Sequence, residues 1–182
     1  MPRHIAFLRG INIGPSKRVP MPRLREVLTE HGYEDVKTYV ASGNVVLTSK
    51  VSPRKLEKEL EKLIEDEWGF DVAVIVRTRD ELADVIERMP FGDVVEEPLK
   101  RLQVSFLSGK PDAENAKKIN DACVEPERVA IDGKEIYAWH PNGIGRSDLA
   151  KLLATKKLGV TVTARNWNTV LAMLELADAP SS

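Results

Sequence analysis

Apolar and polar positions switch between two periods along the chain, and the switches mark out its elements. His4 to Arg9 holds the unbroken apolar run Ile5, Ala6, Phe7 and Leu8, which predicts a central strand covered on both faces. Met21, Leu24, Val27 and Leu28 then recur at helical spacing, with Pro20 and Pro22 suited to the start of a helix and Gly32 to its end. Val36 to Val40 and Val45 to Thr48 are β-branched runs on either side of Ala41-Ser42-Gly43-Asn44, the pattern of a hairpin. Ser52-Pro53 opens a helix that puts Leu56, Leu60, Leu63 and Ile64 on one face and closes near Gly69; Val72 to Val76 is a further strand. The order is βαββαβ, a split βαβ unit with helices on one side of an antiparallel sheet.

Thr78 and Glu81 have capping-box spacing, and Leu82, Val85, Ile86 and Met89 keep a helical period as far as Pro90, which predicts a connector helix. Phe91 to Pro98 is the only internal boundary that the pattern offers, too short for a long flexible linker. Beyond it the order repeats. Leu102 to Leu107 reads as a strand and Asp112 to Cys123 as a weak helix. Arg128 to Ile131 pairs with Glu135 to Trp139 across Asp132-Gly133, the strongest hairpin signal in the chain. Arg146 to Leu158 is helical through Leu149, Leu152 and Leu153 and stops at Gly159, and Val160 to Ala164 is a last strand. A closing helix from Asn166 sets Trp167, Val170, Leu171 and Leu174 on one face. The strands that open the halves end alike, as Phe7-Leu8-Arg9-Gly10 and Phe106-Leu107-Ser108-Gly109. The expectation is therefore an α+β protein built by internal duplication. Residues 1–78 form one ferredoxin-like half, 79–99 the connector helix and loop, and 100–182 the second half with its C-terminal helix.

A chain of 182 residues, 42% apolar and 30% charged, is an ordinary globular composition that excludes disorder and fibrous repeats. The single Cys123 forms no internal disulfide, and there is neither a secretory apolar region nor an apolar run of about eighteen residues. Both points predict a cytoplasmic location with no membrane partner. The 27 basic and 28 acidic residues cancel in bulk but not in place. From Met1 to Arg25 the chain carries Arg3, Arg9, Lys17, Arg18, Arg23 and Arg25 and no acid, whereas Glu57 to Glu67 is the acidic, solvated face of a helix. A second basic region runs from Arg146 to Arg165, with Arg146, Lys151, Lys156, Lys157 and Arg165 against Asp148. Either basic region attracts anions.

Three candidate sites follow. In the turn from Arg9 to Arg18, Gly10 and Gly14 open backbone conformations closed to other residues, so amides here can point at a ligand while Arg9, Lys17 and Arg18 supply charge. The plainer reading is a tight strand-to-helix connection in which Asn12 bonds its own backbone. In Asn142-Gly143-Ile144-Gly145-Arg146-Ser147 a helix start offers free amides, and Arg165 and Asn166 are expected in the same region; an ordinary capped helix explains it too, and Asp148 opposes an anion. Ser42 and Asn44 flank a third, small polar turn that a hairpin alone accounts for. His4, His31 and His140 are scattered, no two of them or Cys123 have metal-ligand spacing, and no catalytic fingerprint is present. No pattern names a cofactor or a catalytic residue.

Phe7-Leu8-Arg9-Gly10-Ile11-Asn12-Ile13-Gly14 with Val19-Pro20-Met21, Tyr39-Val40-Ala41-Ser42-Gly43-Asn44-Val45-Val46, and Gly143-Ile144-Gly145-Arg146-Ser147 with Thr163-Ala164-Arg165-Asn166-Trp167-Asn168-Thr169 resemble the domain-of-unknown-function 1697 family, a bacterial group with no established activity. The resemblance spans nearly the whole chain and implies ferredoxin-like halves. Pro15 stands where such proteins often have a second glycine, which stiffens the turn, and Asp148 where they often have a lysine. Function stays open among three readings: a binding module for a small anionic or phosphorylated ligand, an enzyme acting on a phosphorylated or nucleotide-like substrate, and an RNA-binding or protein-interaction domain. Nucleic acid ranks last, because Val45-Val46-Leu47-Thr48 lacks the aromatics on which bases stack.

Overall fold

Two four-stranded antiparallel sheets share one strand order. The computed structural model describes residues 1–94, 101–155 and 157–181. The first sheet is β2-β3-β1-β4, from β1 (Arg3–Leu8), β2 (Glu34–Tyr39), β3 (Asn44–Thr48) and β4 (Val74–Thr78). Helices α1 (Met21–Glu30) and α2 (Pro53–Trp68) are its crossovers, and α3 (Arg79–Glu87) follows it. The second is β6-β7-β5-β8, from β5 (Leu102–Leu107), β6 (Arg128–Asp132), β7 (Glu135–Trp139) and β8 (Val162–Asn166). Its crossovers are α4 (Ala113–Ala122) and α5 (Asp148–Leu153), and α6 (Trp167–Asp178) follows. Two tandem βαββαβ halves are thus present, as the periodicity predicts.

The chain forms two compact units, Met1–Asp84 with Ala172–Ser182 and Val85–Leu171, and the division passes through α3 and α6. In the first, Ala6, Leu8, Val45, Leu47, Val74 and Val76 pack against Leu24 and Leu28 of α1 and Leu56, Leu60 and Ile64 of α2. Ile5, Phe7, Val46 and Ile75, on the opposite face by strand alternation, are buried as well, which is why β1 reads as a continuous apolar run. The second core joins Leu107, Ile136, Ala138 and Val162 to Ile119, Leu149 and Leu153.

Residues 172–181 are tied into the first unit by polar contacts. Arg3 donates to the carbonyls of Ala177 and Ala179 and, at 2.9 Å, to Ser181 Oγ, and Arg79 makes a bidentate pair with Asp178 at 2.7 and 3.0 Å.

The duplication reaches the level of register. Phe7 stands opposite Asn44 and Ile75, and Phe106 opposite Glu135 and Thr163; Ile5 faces Val46 and Arg77, and Val104 faces Tyr137 and Arg165. The ends of the opening strands are held alike. Leu8 N donates to Gly43 O at 2.8 Å and Arg9 N to Ala73 O at 2.9 Å; Leu107 N donates to Lys134 O and Ser108 N to Thr161 O, both at 2.9 Å.

Several boundaries differ from those the pattern predicts. Asp132 pairs with Glu135, so the tight turn is Gly133-Lys134, with Gly133 at φ 62° in its first position. Helix α5 ends at Leu153, where Thr155 Oγ1 donates to the Leu152 carbonyl at 2.9 Å and competes with a further turn. Strands β4 and β8 begin two residues later than expected, at Val74 and Val162. The Thr78/Glu81 capping box forms reciprocally, at 3.0 and 3.1 Å. Part of the expected internal boundary, residues 95–100, and Lys156 of the second basic region lie outside the described residues. Among the described residues no helix is long and apolar enough to cross a membrane.

Candidate functional site

The chain takes residues 9–20 to pass from β1 to α1 but only 108–112 to pass from β5 to α4. The longer passage is a built structure. Ile11 and Val19 are buried in the core of the first unit. Gly10, Asn12 and Lys17 are left-handed, at φ 69°, 56° and 52°. Asparagine tolerates that region because its short polar side chain bonds locally, and Asn12 does so at both ends. Its amide N donates to Lys17 O at 3.1 Å and its Oδ1 accepts from Val19 N at 2.8 Å; its Nδ2 donates to Val19 O at 2.9 Å and to Ala41 O at 2.7 Å. Lys17 Nζ donates to Asp71 O at 2.8 Å. Arg9 is half-buried, and Ser16 and Arg18 are exposed.

The Ala41 contact brings a second candidate to the same place. Gly43 has φ 92°, and a Cβ there would stand 2.7 Å from Leu8 Cβ and 3.0 Å from Ile11 Cδ1, so the β2–β3 turn presses on the strand end and on the longer turn. Asn44 is buried and donates to Tyr39 O at 3.0 Å and Ser42 Oγ at 2.9 Å. Arg9, Gly10, Asn12, Gly14 and Lys17 therefore share one end of the first sheet with Ser42 and Asn44.

The remaining four candidates lie in the second unit. Gly145 and Arg146 are exposed ahead of the six-residue α5, whose N-cap is Ser147. Arg165 is buried and donates to Thr163 Oγ1 and Ala164 O, both at 2.9 Å; burial pulls its guanidinium down to about 10, which leaves it charged at neutral pH. Asn166 Oδ1 accepts from Thr169 N at 2.9 Å and caps α6, and Trp167 is buried. Arg165 and Asn166 occupy successive strand positions and so point to opposite faces of the sheet.

One cluster escapes reading along the chain. The buried His140 Nδ1 lies 2.6 Å from Glu127 Oε2, Ser147 Oγ donates to the same oxygen at 2.5 Å, and the hydroxyl is 3.3 Å from His140 Nδ1. Serine and carboxylate thus crowd one ring nitrogen, whereas a nucleophilic relay needs them on opposite nitrogens. Ser147 Oγ also accepts from Ala150 N at 3.0 Å as the cap of α5, so the cluster fixes the start of that helix. Register is the signal that finds it, since Arg128 pairs with Trp139 and the next residues outward are Glu127 and His140.

The fold is similar to that of a conserved bacterial protein, SP0830 from Streptococcus pneumoniae, with a TM-score of 0.79 over 97% of this chain and 99% of that one. The two are 22% identical, so the likeness is one of fold. No curated protein matches the chain. The family model described as protein of unknown function (DUF1697) matches residues 1–137. That span takes in the turn after β1 together with Ser42 and Asn44, and stops before Gly145, Arg146, Arg165 and Asn166.

Proposed function

This chain belongs to the DUF1697 family of proteins of unknown function, so its role has to come from its own geometry, and we propose that it is a binding module for a small anionic or phosphorylated ligand seated at the turn between β1 and α1. The observation that carries this reading is surplus length held in order. The second half joins strand to helix with residues 108–112, so the fold does not require residues 9–20, yet Asn12 and two buried side chains hold the longer passage in a defined shape.

The chemistry of the turn suits an anion. Among the described residues nothing accepts a hydrogen bond from the amides of Ile13, Gly14, Ser16 or Arg18. Successive amides in a turn with left-handed residues form an anion-binding concavity. Gly14 has neither a left-handed φ nor a neighbour within 4 Å of an added Cβ, so the fold itself does not call for glycine there. A bare backbone lets a ligand approach closely. Arg18 is an exposed guanidinium of the kind that grips phosphate bidentately, and Lys17 adds charge beside it. RNA stays the last choice: Val45, Val46, Leu47 and Thr48 of β3 are all buried, which removes that strand as a stacking surface.

The test is a thermal-shift screen with inorganic phosphate and phosphorylated metabolites. A ligand at a hundred times its Kd adds roughly 2.7 kcal/mol, a shift of several degrees. The double variant Lys17→Ala/Arg18→Ala is expected to lose it. A phosphate-dependent shift of unchanged size in that variant rules the turn out.

A further inference from the structure

Of the large hydrophobic side chains that the described residues expose, two bracket the hydrogen bond between Asn12 and Ala41. Ile13 is 83% exposed and Val40 is 55% exposed. Each is the immediate neighbour of a residue in that bond, Asn12 Nδ2 to Ala41 O at 2.7 Å, so the bond brings both positions to the same end of the first sheet, at the anion-binding turn. Val40 is also held at φ 47°, a conformation that β-branched residues avoid. Strain of this kind persists where the surroundings impose it, and it clusters at ligand sites. A hairpin tip has no folding reason to carry a strained, exposed valine, since asparagine or glycine fits that backbone freely.

Resting on the reading of the turn as an anion site, we infer that its ligand is a phosphate ester with an apolar body: the phosphate meets the amides of Ile13, Gly14, Ser16 and Arg18 with the Lys17 and Arg18 side chains, and the apolar group covers Ile13 and Val40. Binding sites pair a few placed polar groups with apolar lining in this way. Inorganic phosphate and sugar phosphates use only the first part of the site, whereas aryl and short alkyl phosphates use both.

Isothermal titration of the full chain with inorganic phosphate, glucose 6-phosphate and phenyl phosphate tests this. Covering roughly 60 Å² of apolar surface is worth about tenfold in affinity, so phenyl phosphate is expected to bind about ten times more tightly than inorganic phosphate. Ile13→Ser and Val40→Asn each remove most of that preference, and Val40→Asn, which lies outside the phosphate-binding turn, leaves inorganic phosphate binding unchanged. Both positions are on the surface, and asparagine suits the backbone of residue 40, so both variants fold. Equal binding of the two phosphates overturns the apolar subsite and leaves the anion site standing. A preference that survives both substitutions overturns the assignment to Ile13 and Val40. Binding of none of the three compounds overturns the anion site and this inference together.

Discussion

The two halves leave their opening strands through equivalent hydrogen bonds, Leu8 to Gly43 and Arg9 to Ala73 in one, Leu107 to Lys134 and Ser108 to Thr161 in the other. After that they differ. The second half reaches α4 quickly and caps it, Asp112 Oδ1 accepting from Asn115 N at 2.8 Å. The first half makes a long, basic, internally bonded excursion and enters α1 through Pro20, which gives no side-chain cap. A duplicated fold supplies its own control. What both copies share is what the βαββαβ path demands, and what only one copy has must be explained by something else.

The comparison breaks or sharpens on specific variants. Gly43→Ala is expected to have the largest effect, about 3 kcal/mol by urea denaturation, because the new methyl meets Leu8 Cβ at 2.7 Å from a left-handed backbone. Lys134→Ala, at the matching acceptor of the second half, changes stability by no more than about 0.5 kcal/mol. Similar losses at the two positions would mean that the long turn is not what makes Gly43 special. Asn12→Ala removes three side-chain hydrogen bonds and is expected to lose about 2 to 3 kcal/mol along with the phosphate-dependent thermal shift. Asn12→Gly keeps the left-handed conformation, so the gap between the two variants, about 1 kcal/mol, measures the conformational share.

Smaller effects concern the helix starts and one histidine. Asp112→Ala is expected to weaken the fold by about 1 kcal/mol, while Pro20→Ser, which offers α1 a cap, gains no more than that. His4, where the second half has Gln103 at the matching register, is buried with Nε2 3.2 Å from Ser49 O and Nδ1 without a partner. Burial lowers its pKa below 6.5, with the Ser49 contact and the nearby Glu81 opposing. The unfolded chain then takes up a proton below about pH 6.5 that the folded chain resists, so the stability His4 contributes is present above that pH and is lost as the pH falls. His4→Gln should flatten the denaturation midpoint between pH 5 and 7; an unchanged slope means that other groups set the acid limb.

Elements with a strong period were legible in the sequence. β1, α2 and the two hairpins follow from runs and spacings that burial imposes directly, and the capping box at Thr78 and Glu81 forms as its spacing implies. The end of α5 was not, because Leu149, Leu152 and Leu153 continue to Leu158 as an apolar pattern while Thr155 diverts a carbonyl. In the site, Gly10 and Asn12 announced an unusual turn, but the sequence does not show that Asn12 reaches Ala41, a contact that only the sheet creates. Glu127, His140 and Ser147 stayed hidden for the same reason: their meeting depends on counting outward from a turn whose position shifts by one residue from the obvious dipeptide.

The polar clasp around residues 172–181 has a consequence for how the molecule is made. A ribosome delivers β1 through β4 first, then residues 85–171, and only afterwards the carbonyls that Arg3 grips and the carboxylate that Arg79 pairs with. Through that interval the nascent first unit lacks the end of α6, and Arg3 and Arg79 keep only their nearer partners Asp35 and Asp80. Its final closure is timed by translation of the second.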